Sequence, residues 1–196
     1  MLLPTILPFR GFIAVEVRPT DRLRDFHARL STVRGIKVVD VEQVHITLKF
    51  LGPTDESLVP KIVEAMRSAI DGVKPFEMKL AGSGVFPSRS NARVVWAGLE
   101  GADPLGVMAA RLEDLLADVG FQKENRPFRP HLTMARVKDP RASLSAAEAA
   151  EDFAKVDFGR ETVQSILLKK SVLSPSGPTY STVAEVRLED QSGSPS

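Results

Sequence analysis

Three histidines occur in the 196-residue chain, and two of them stand in the same short pattern. His45 is followed at +2 by Thr47, and His131 is followed at +2 by Thr133. An imidazole titrates near pH 6.5, so close to neutrality one can hold the basic form while another holds the acidic form. Two of them can divide a reaction, one taking a proton from an attacking water and the other protonating the departing oxygen. Threonine hydroxyls beside them could donate to the non-bridging oxygens of a phosphodiester, where negative charge has to be held. A single His-x-Thr is weak evidence, because threonine suits strands and a half-exposed strand histidine is common. Its recurrence in matching surroundings is what gives it weight.

Those surroundings are strands. In Gln43-Val-His-Ile-Thr-Leu-Lys-Phe50, apolar Val44, Ile46, Leu48 and Phe50 alternate with Gln43, His45, Thr47 and Lys49. Period 2 then puts His45, Thr47 and Lys49 on one face. His131-Leu-Thr-Met134 reads the same way, with His131 beside Thr133. Further strands are predicted at Phe12–Val17, Phe76–Leu80, Arg93–Gly98, Val163–Leu173 and Thr179–Leu188, with a turn at Ser174–Pro178. Helices are predicted after Thr20 as N-cap, from Asp55 to Ile70, after Asp103 as N-cap with Gly120 closing it, and from a Ser145/Glu148 capping box.

The order repeats. His45 precedes His131 by 86 residues, and Phe86-Pro87-Ser88 precedes Ser174-Pro175-Ser176 by 88. Each half reads strand, helix, His-x-Thr strand, helix, strand, a period too long for a solenoid. The expectation is an α+β fold, bilobal and internally duplicated, with two antiparallel sheets flanked by helices and a central cleft. One domain should cover residues 1–190, with repeat halves of about 10–90 and 91–188. Residues 191–196, polar and small, are expected to be a disordered tail.

Composition narrows the function classes. A content of 43% hydrophobic and 26% charged residues suits an ordinary globular protein. A net charge of +1 argues against a broad electrostatic grip on duplex nucleic acid, so any such contact should be local. The absence of cysteine removes thiolate nucleophiles and Cys-rich zinc sites. Met1–Phe9 is apolar but contains Pro4 and Pro8 and has no basic start, which does not suit a signal peptide. No apolar run approaches the roughly 20 residues that span a bilayer. A soluble, cytoplasmic monomer with no cofactor and no metal is expected, since the paired motifs bring only two histidines together and a zinc site needs three or four ligands.

The paired motifs resemble those of the 2H phosphoesterase superfamily, in particular the RNA 2′,3′-cyclic phosphodiesterases, also described as 2′-5′ RNA ligases (LigT-like). The likeness runs through Arg10–Val15, His45–Gly52, Val85-Phe-Pro87, Val94–Gly98, Phe128–Arg136 and Leu173–Tyr180. It implies metal-independent opening of a 2′,3′-cyclic phosphate to a 2′-phosphate on RNA ends, tRNA fragments or cyclic nucleotides, with His45 and His131 as acid and base. A 2′-5′ ligase joining tRNA halves, or a non-catalytic module binding RNA ends or nucleotides, are the alternatives. His131 is favoured as the base. The chain departs from the pattern in its extension before Arg10 and in Met134, where leucine is more usual; the latter is a volume-conserving change.

Six further residues are candidates to bind substrate besides the histidines: Thr47, Thr133, Arg136, Lys49, Arg10 and Tyr180. For Arg136 the two arguments conflict. Plain alternation puts it on the face opposite His131, whereas the resemblance implies a phosphate contact, which would require a bulge to re-aim the side chain. Arg126 and Arg129 could track single-stranded RNA from the loop before His131. Phe86 is a possible base platform, Trp96 reads as core, and His27 as a partly buried helix residue.

Overall fold

The computed structural model describes residues 8–174 and 177–188. The expectations for the extension before Arg10, the middle of the Ser174–Pro178 turn and the 191–196 tail therefore fall wholly or largely outside the described residues. Among the described residues, nine strands and four helices follow in the order β1 (Phe9–Glu16), α1 (Asp21–Ser31), β2 (Ile36–Val38), β3 (His45–Thr54), α2 (Val59–Ile70), β4 (Phe76–Phe86), β5 (Val94–Glu100), α3 (Asp103–Val119), β6 (Leu132–Val137), α4 (Ser143–Glu151), β7 (Asp157–Val163), β8 (Ser165–Ser174) and β9 (Gly177–Arg187).

Local signals explain the helix ends. The Thr20 hydroxyl accepts from the Leu23 amide and caps α1, while Leu23, Phe26 and Leu30 form its buried stripe. Helix α3 opens with Asp103 and Pro104 inside its first turn rather than with Asp103 as the cap, and Gly120 closes it in the left-handed conformation. The expected Ser145/Glu148 capping box does not form. A short turn at Pro140–Ala142 starts α4 three residues early, and the Ser143 hydroxyl donates to the Pro140 carbonyl instead.

Among the described residues all strand pairs are antiparallel, in a four-stranded sheet of order β3-β1-β8-β9 and a five-stranded sheet of order β2-β6-β5-β4-β7. The sequence halves do not coincide with the sheets. Strands β8 and β9 of the second half complete the sheet begun by β1 and β3, and β4 of the first half joins β5 and β6. With β2 set aside as an edge addition, β3-β1-β8-β9 corresponds strand for strand to β6-β5-β4-β7. Helices α2 and α3 pack on the outer face of the first sheet, and α1 and α4 on that of the second. The uncovered faces meet where β3 contacts β6. Each His-x-Thr strand thereby reaches the centre of the molecule. No described helix is long and apolar enough to cross a membrane.

Candidate active site

His45 opens β3 and His131 immediately precedes β6. The two imidazoles are held the same way. Nδ1 of His45 lies 2.9 Å from the Gln43 carbonyl, and Nδ1 of His131 lies 2.7 Å from the Arg129 carbonyl. A carbonyl only accepts, so both Nδ1 atoms carry the proton and both Nε2 atoms are left for chemistry. Each ring also meets an aromatic edge: His45 meets Tyr180 at 5.0 Å and 84°, and His131 meets Phe86 at 5.3 Å and 88°. Phe12 completes the support of His45, with ring centroids 4.9 Å apart.

Both strands then break step. Opposite β1, Ala14 faces Thr47 and Ile13 faces Lys49, so Leu48 is an extra residue in the ladder. Opposite β5, Trp96 faces Thr133 and Val95 faces Ala135, so Met134 is the extra residue. A bulge of this kind inverts the alternation beyond it. Two consecutive side chains are consequently buried in each motif, Leu48 with Lys49 and Met134 with Ala135.

The inversion reverses two expectations drawn from plain alternation. Lys49 does not share the face of His45 and Thr47. It lies with Ile13 on the helix side, 1% exposed, where Nζ donates to Glu113 Oε2 and to the Gln122 carbonyl, both at 2.7 Å. Glu113 also accepts from the Glu124 amide at 3.0 Å, so the pair ties β3 to the loop that leads to His131. Arg136, opposite Val94, is returned to the face of Trp96 and Thr133. Its charge is felt at both His45 and Tyr180.

The remaining candidates divide. Tyr180 stands beside His45, and burial holds its phenol above the usual range against the opposing charges of Arg136 and Arg10. Arg10 is exposed and shares the β1 face of Phe12 by alternation. Arg126 and Arg129 are exposed in the loop before His131. Trp96, expected in the core, instead lies on the cleft face, its ring tilted by 30° to that of Phe86 at 5.2 Å, with a buried Nε1 that has no hydrogen-bond partner among the described residues. Gly84 makes room for it, since a Cβ there would come within 2.5 Å of the indole. The hydroxyls of Thr47 and Thr133 bond to no protein acceptor among the described residues.

Lys169 is not legible as a site residue in sequence, where Lys169-Lys170 looks like a solvated pair. It sits opposite Phe12, 7% exposed, and bonds Glu16 and Thr182. Lys169, Glu16, Thr182 and Tyr180 line a groove of about 700 Å³ that His45 also borders and His131 does not. Burial is the main cause that lowers the affinity of His45 for a proton, with Lys169 and Arg136 adding to it, while the Gln43 carbonyl and Glu16 oppose. Among the described residues no group of three or more His, Cys, Asp or Glu side chains is placed to hold a metal ion.

Proteins already known share this sequence pattern and fold. The model of the 2′-5′ RNA ligase superfamily matches residues 19–167. The chain belongs to this superfamily. It is 35% identical to an RNA 2′,3′-cyclic phosphodiesterase of Methanothermobacter thermautotrophicus over 184 residues, covering 91% of this chain and 98% of the relative. It is 36% identical to that of Aeropyrum pernix over 167 residues, 85% of this chain and 93% of the relative. Among solved structures, TT0787 of Thermus thermophilus superposes with a TM-score of 0.76 at 29% identity, covering 93% of this chain and 99% of that one. Escherichia coli LigT complexed with 3′-AMP shares the fold, with a TM-score of 0.69 at 23% identity over 93% of this chain and 99% of LigT. The bilobal 2H phosphoesterase architecture expected from the motifs is therefore the observed one.

Two measurements test this geometry. Replacing Lys49 with Met should destabilise the fold by about 3 kcal/mol, the low end for a broken buried ion pair because Glu113 is still 23% exposed. The midpoint of denaturant unfolding should fall at an unchanged slope; a substrate-binding lysine would instead lose turnover at unchanged stability. The NMR titration of His45 should have its midpoint below the ordinary 6.5. Between the two midpoints only the unfolded chain is protonated at this site, so His45 withdraws stability as pH falls below about 6.5 and has no effect above it. A midpoint at or above 6.5 would contradict the burial argument.

Proposed function

We propose that the protein hydrolyses terminal 2′,3′-cyclic phosphates on RNA ends, tRNA fragments and cyclic nucleotides to 2′-phosphates, by general acid/base catalysis from His45 and His131. The observation that carries this reading is the matched pair of imidazoles, each with Nδ1 committed to a backbone carbonyl and Nε2 left free, in a member of this superfamily. Relatives at 35% and 36% identity bear that activity as their name.

The asymmetry of the pair supports one assignment of roles. His45 is enclosed by Phe12 and Tyr180 and borders the groove, which has room for a nucleoside, whereas His131 lies outside it. The departing 3′ oxygen would then be on the His45 side and water on the His131 side. His131 Nε2 takes the proton of the water as its oxygen bonds to phosphorus; the P–O3′ bond breaks, and His45 Nε2 gives its proton to O3′. The bound phosphate favours the protonated form of His45 that this step needs, offsetting the burial that disfavours it. Thr47 and Thr133 hold the non-bridging oxygens, with Arg136 adding positive charge. All these groups come from one chain, as suits a monomer, and the cytoplasm is the proposed compartment. With a 5′-hydroxyl in place of water, the same groups would form a 2′-5′ linkage, the second reading that the superfamily name favours.

The test is turnover of 2′,3′-cyclic AMP in EDTA with identification of the product. Wild type should release the 2′-phosphate undiminished, because both proton transfers have a side chain assigned. His45→Ala and His131→Ala should each lose roughly 10²- to 10⁴-fold while remaining folded. Wild-type rates in both variants would refute the site. The roles separate in His131→Ala, whose residual kcat/KM should fall as pH rises through the His45 midpoint; a rise would make His45 the base.

A further inference from the structure

The reaction proposed above needs the more enclosed histidine to carry the proton it delivers, although burial and the cations Lys169 and Arg136 oppose that form. The bound phosphate offsets part of this once substrate has arrived. The free site already holds another anion. Glu16 stands directly opposite His45 in the β1–β3 ladder, and opposed residues of antiparallel strands project to the same face, with Cβ atoms roughly 5 Å apart. Both line the groove. Among the described residues the Glu16 carboxylate makes no hydrogen bond to the imidazole; it is held instead by Lys169, whose ammonium also donates to Thr182 at 3.2 Å. Glu16 therefore acts on His45 through space and leaves Nε2 to the substrate.

Burying an ammonium is unfavourable unless it is paired, and Lys169 is only 7% exposed. Packing does not require the charge, because the second half of the molecule fills the same places without one. Ala14 faces Thr47 as Trp96 faces Thr133, so Glu16 corresponds to Gly98; Lys169, opposite Phe12, corresponds to Phe86, opposite Val94. The ion pair is an addition to one copy of the duplicated site, beside the histidine that acts as the acid. On the cleft face around His45 the other charged or titratable groups are Arg10 from β1, Arg136 from β6 and Tyr180 from β9. Glu42, before β3, Glu161 from β7 and Glu185 from β9 also line the groove, but Glu16 is the carboxylate whose charge is felt at the ring.

We propose that Glu16, held in place by Lys169 and Thr182, is a positioning residue for the reaction: its carboxylate favours the imidazolium of His45 and so keeps that histidine the acid of the pair. This rests on the proposed cleavage of cyclic phosphates, and it traces the unequal roles of the two histidines to one ion pair. Lys169 has two effects of opposite use. It fixes the carboxylate away from Nε2, and it tempers the negative charge that the imidazole meets.

The experiment follows the ring protons of His45 and His131 by NMR across pH in wild type, Glu16→Gln, Lys169→Met and the double variant, alongside the pH profile of kcat/KM for 2′,3′-cyclic AMP. Glu16→Gln should lower the His45 midpoint and Lys169→Met should raise it, each by about one pH unit, the size expected of a unit charge about 7 Å away at an effective dielectric constant of about 20 once the solvent exposure of Glu16 is allowed for. The alkaline limb of kcat/KM should move with the midpoint, so that above it Glu16→Gln loses about 10-fold. The double variant should return His45 close to its wild-type midpoint, Glu16→Asp should behave as wild type, and His131 should stay in place throughout. An unmoved His45 in Glu16→Gln, shifts of the same sign in the two single variants, or an equal displacement of His131 would overturn the role of Glu16. If Lys169→Met does not fold, Glu16→Gln and Glu16→Asp decide the matter without it. A wild type inert on cyclic AMP would overturn the cleavage reading and this role together, whereas turnover with an unmoved His45 would overturn the role alone.

Discussion

A strand shows only every second residue to one face, and this site depends on breaking that rule once in each half. With unbroken alternation, Lys49 would enter the cleft and Arg136 would enter the core beside Leu132 and Met134. The extra residues Leu48 and Met134 invert the parity beyond them, so His and Thr project before the bulge and Phe50 or Arg136 after it. One local irregularity, copied with the repeat, thereby gives each strand three cleft-facing positions within six residues and still buries the two residues between the second and the third. The two copies then diverge in chemistry, Lys49 against Ala135 inside and Phe50 against Arg136 outside.

The remaining order of the site follows from satisfying polar groups. Each imidazole would be free to turn about its side-chain torsions, but the carbonyl two residues earlier fixes the ring and the tautomer together. The carbonyl that holds His131 belongs to the loop that Lys49 and Glu113 anchor from the opposite face of the first sheet. A buried ion pair of this kind is weak evidence of net stabilisation, because desolvation offsets much of the attraction. Its effect is geometric: it couples the first His-x-Thr strand to the approach of the second. Lys169 plays a comparable part on the cleft face, where Glu16 and Thr182 satisfy it while its charge still reaches His45.

Much of this is legible in the chain. The duplication, the strand on which His45 lies, the amphipathic helix after Thr20 and the Gly120 that closes α3 all follow from local periodicity and capping chemistry, which act within a few residues. Strands β2 and β7 do not stand out. The first has three residues, and the second, Asp-Phe-Gly-Arg-Glu-Thr-Val, carries charge on the face it turns to solvent, leaving only Phe158, Glu161 and Val163 buried. The exchange of β4 and β8 between sheets is also hidden, because strand pairing is a long-range choice that hydrophobic alternation does not encode.

His45, Thr47, His131 and Thr133 can be chosen from the chain alone, since side chains two apart before any bulge share a face whatever the partner strand. The repeat likewise announces that each motif comes twice. The shell around those four residues belongs to the folded molecule. Trp96 shows why: its apolar neighbours Val95 and Ala97 occupy the buried face, which turns the indole to the other one, where Gly84 on β4 leaves it space. A bulge, too, is a mismatch between two strands and has no signature in either one, so the fates of Lys49, Phe50 and Arg136 are set by the ladders to β1 and β5.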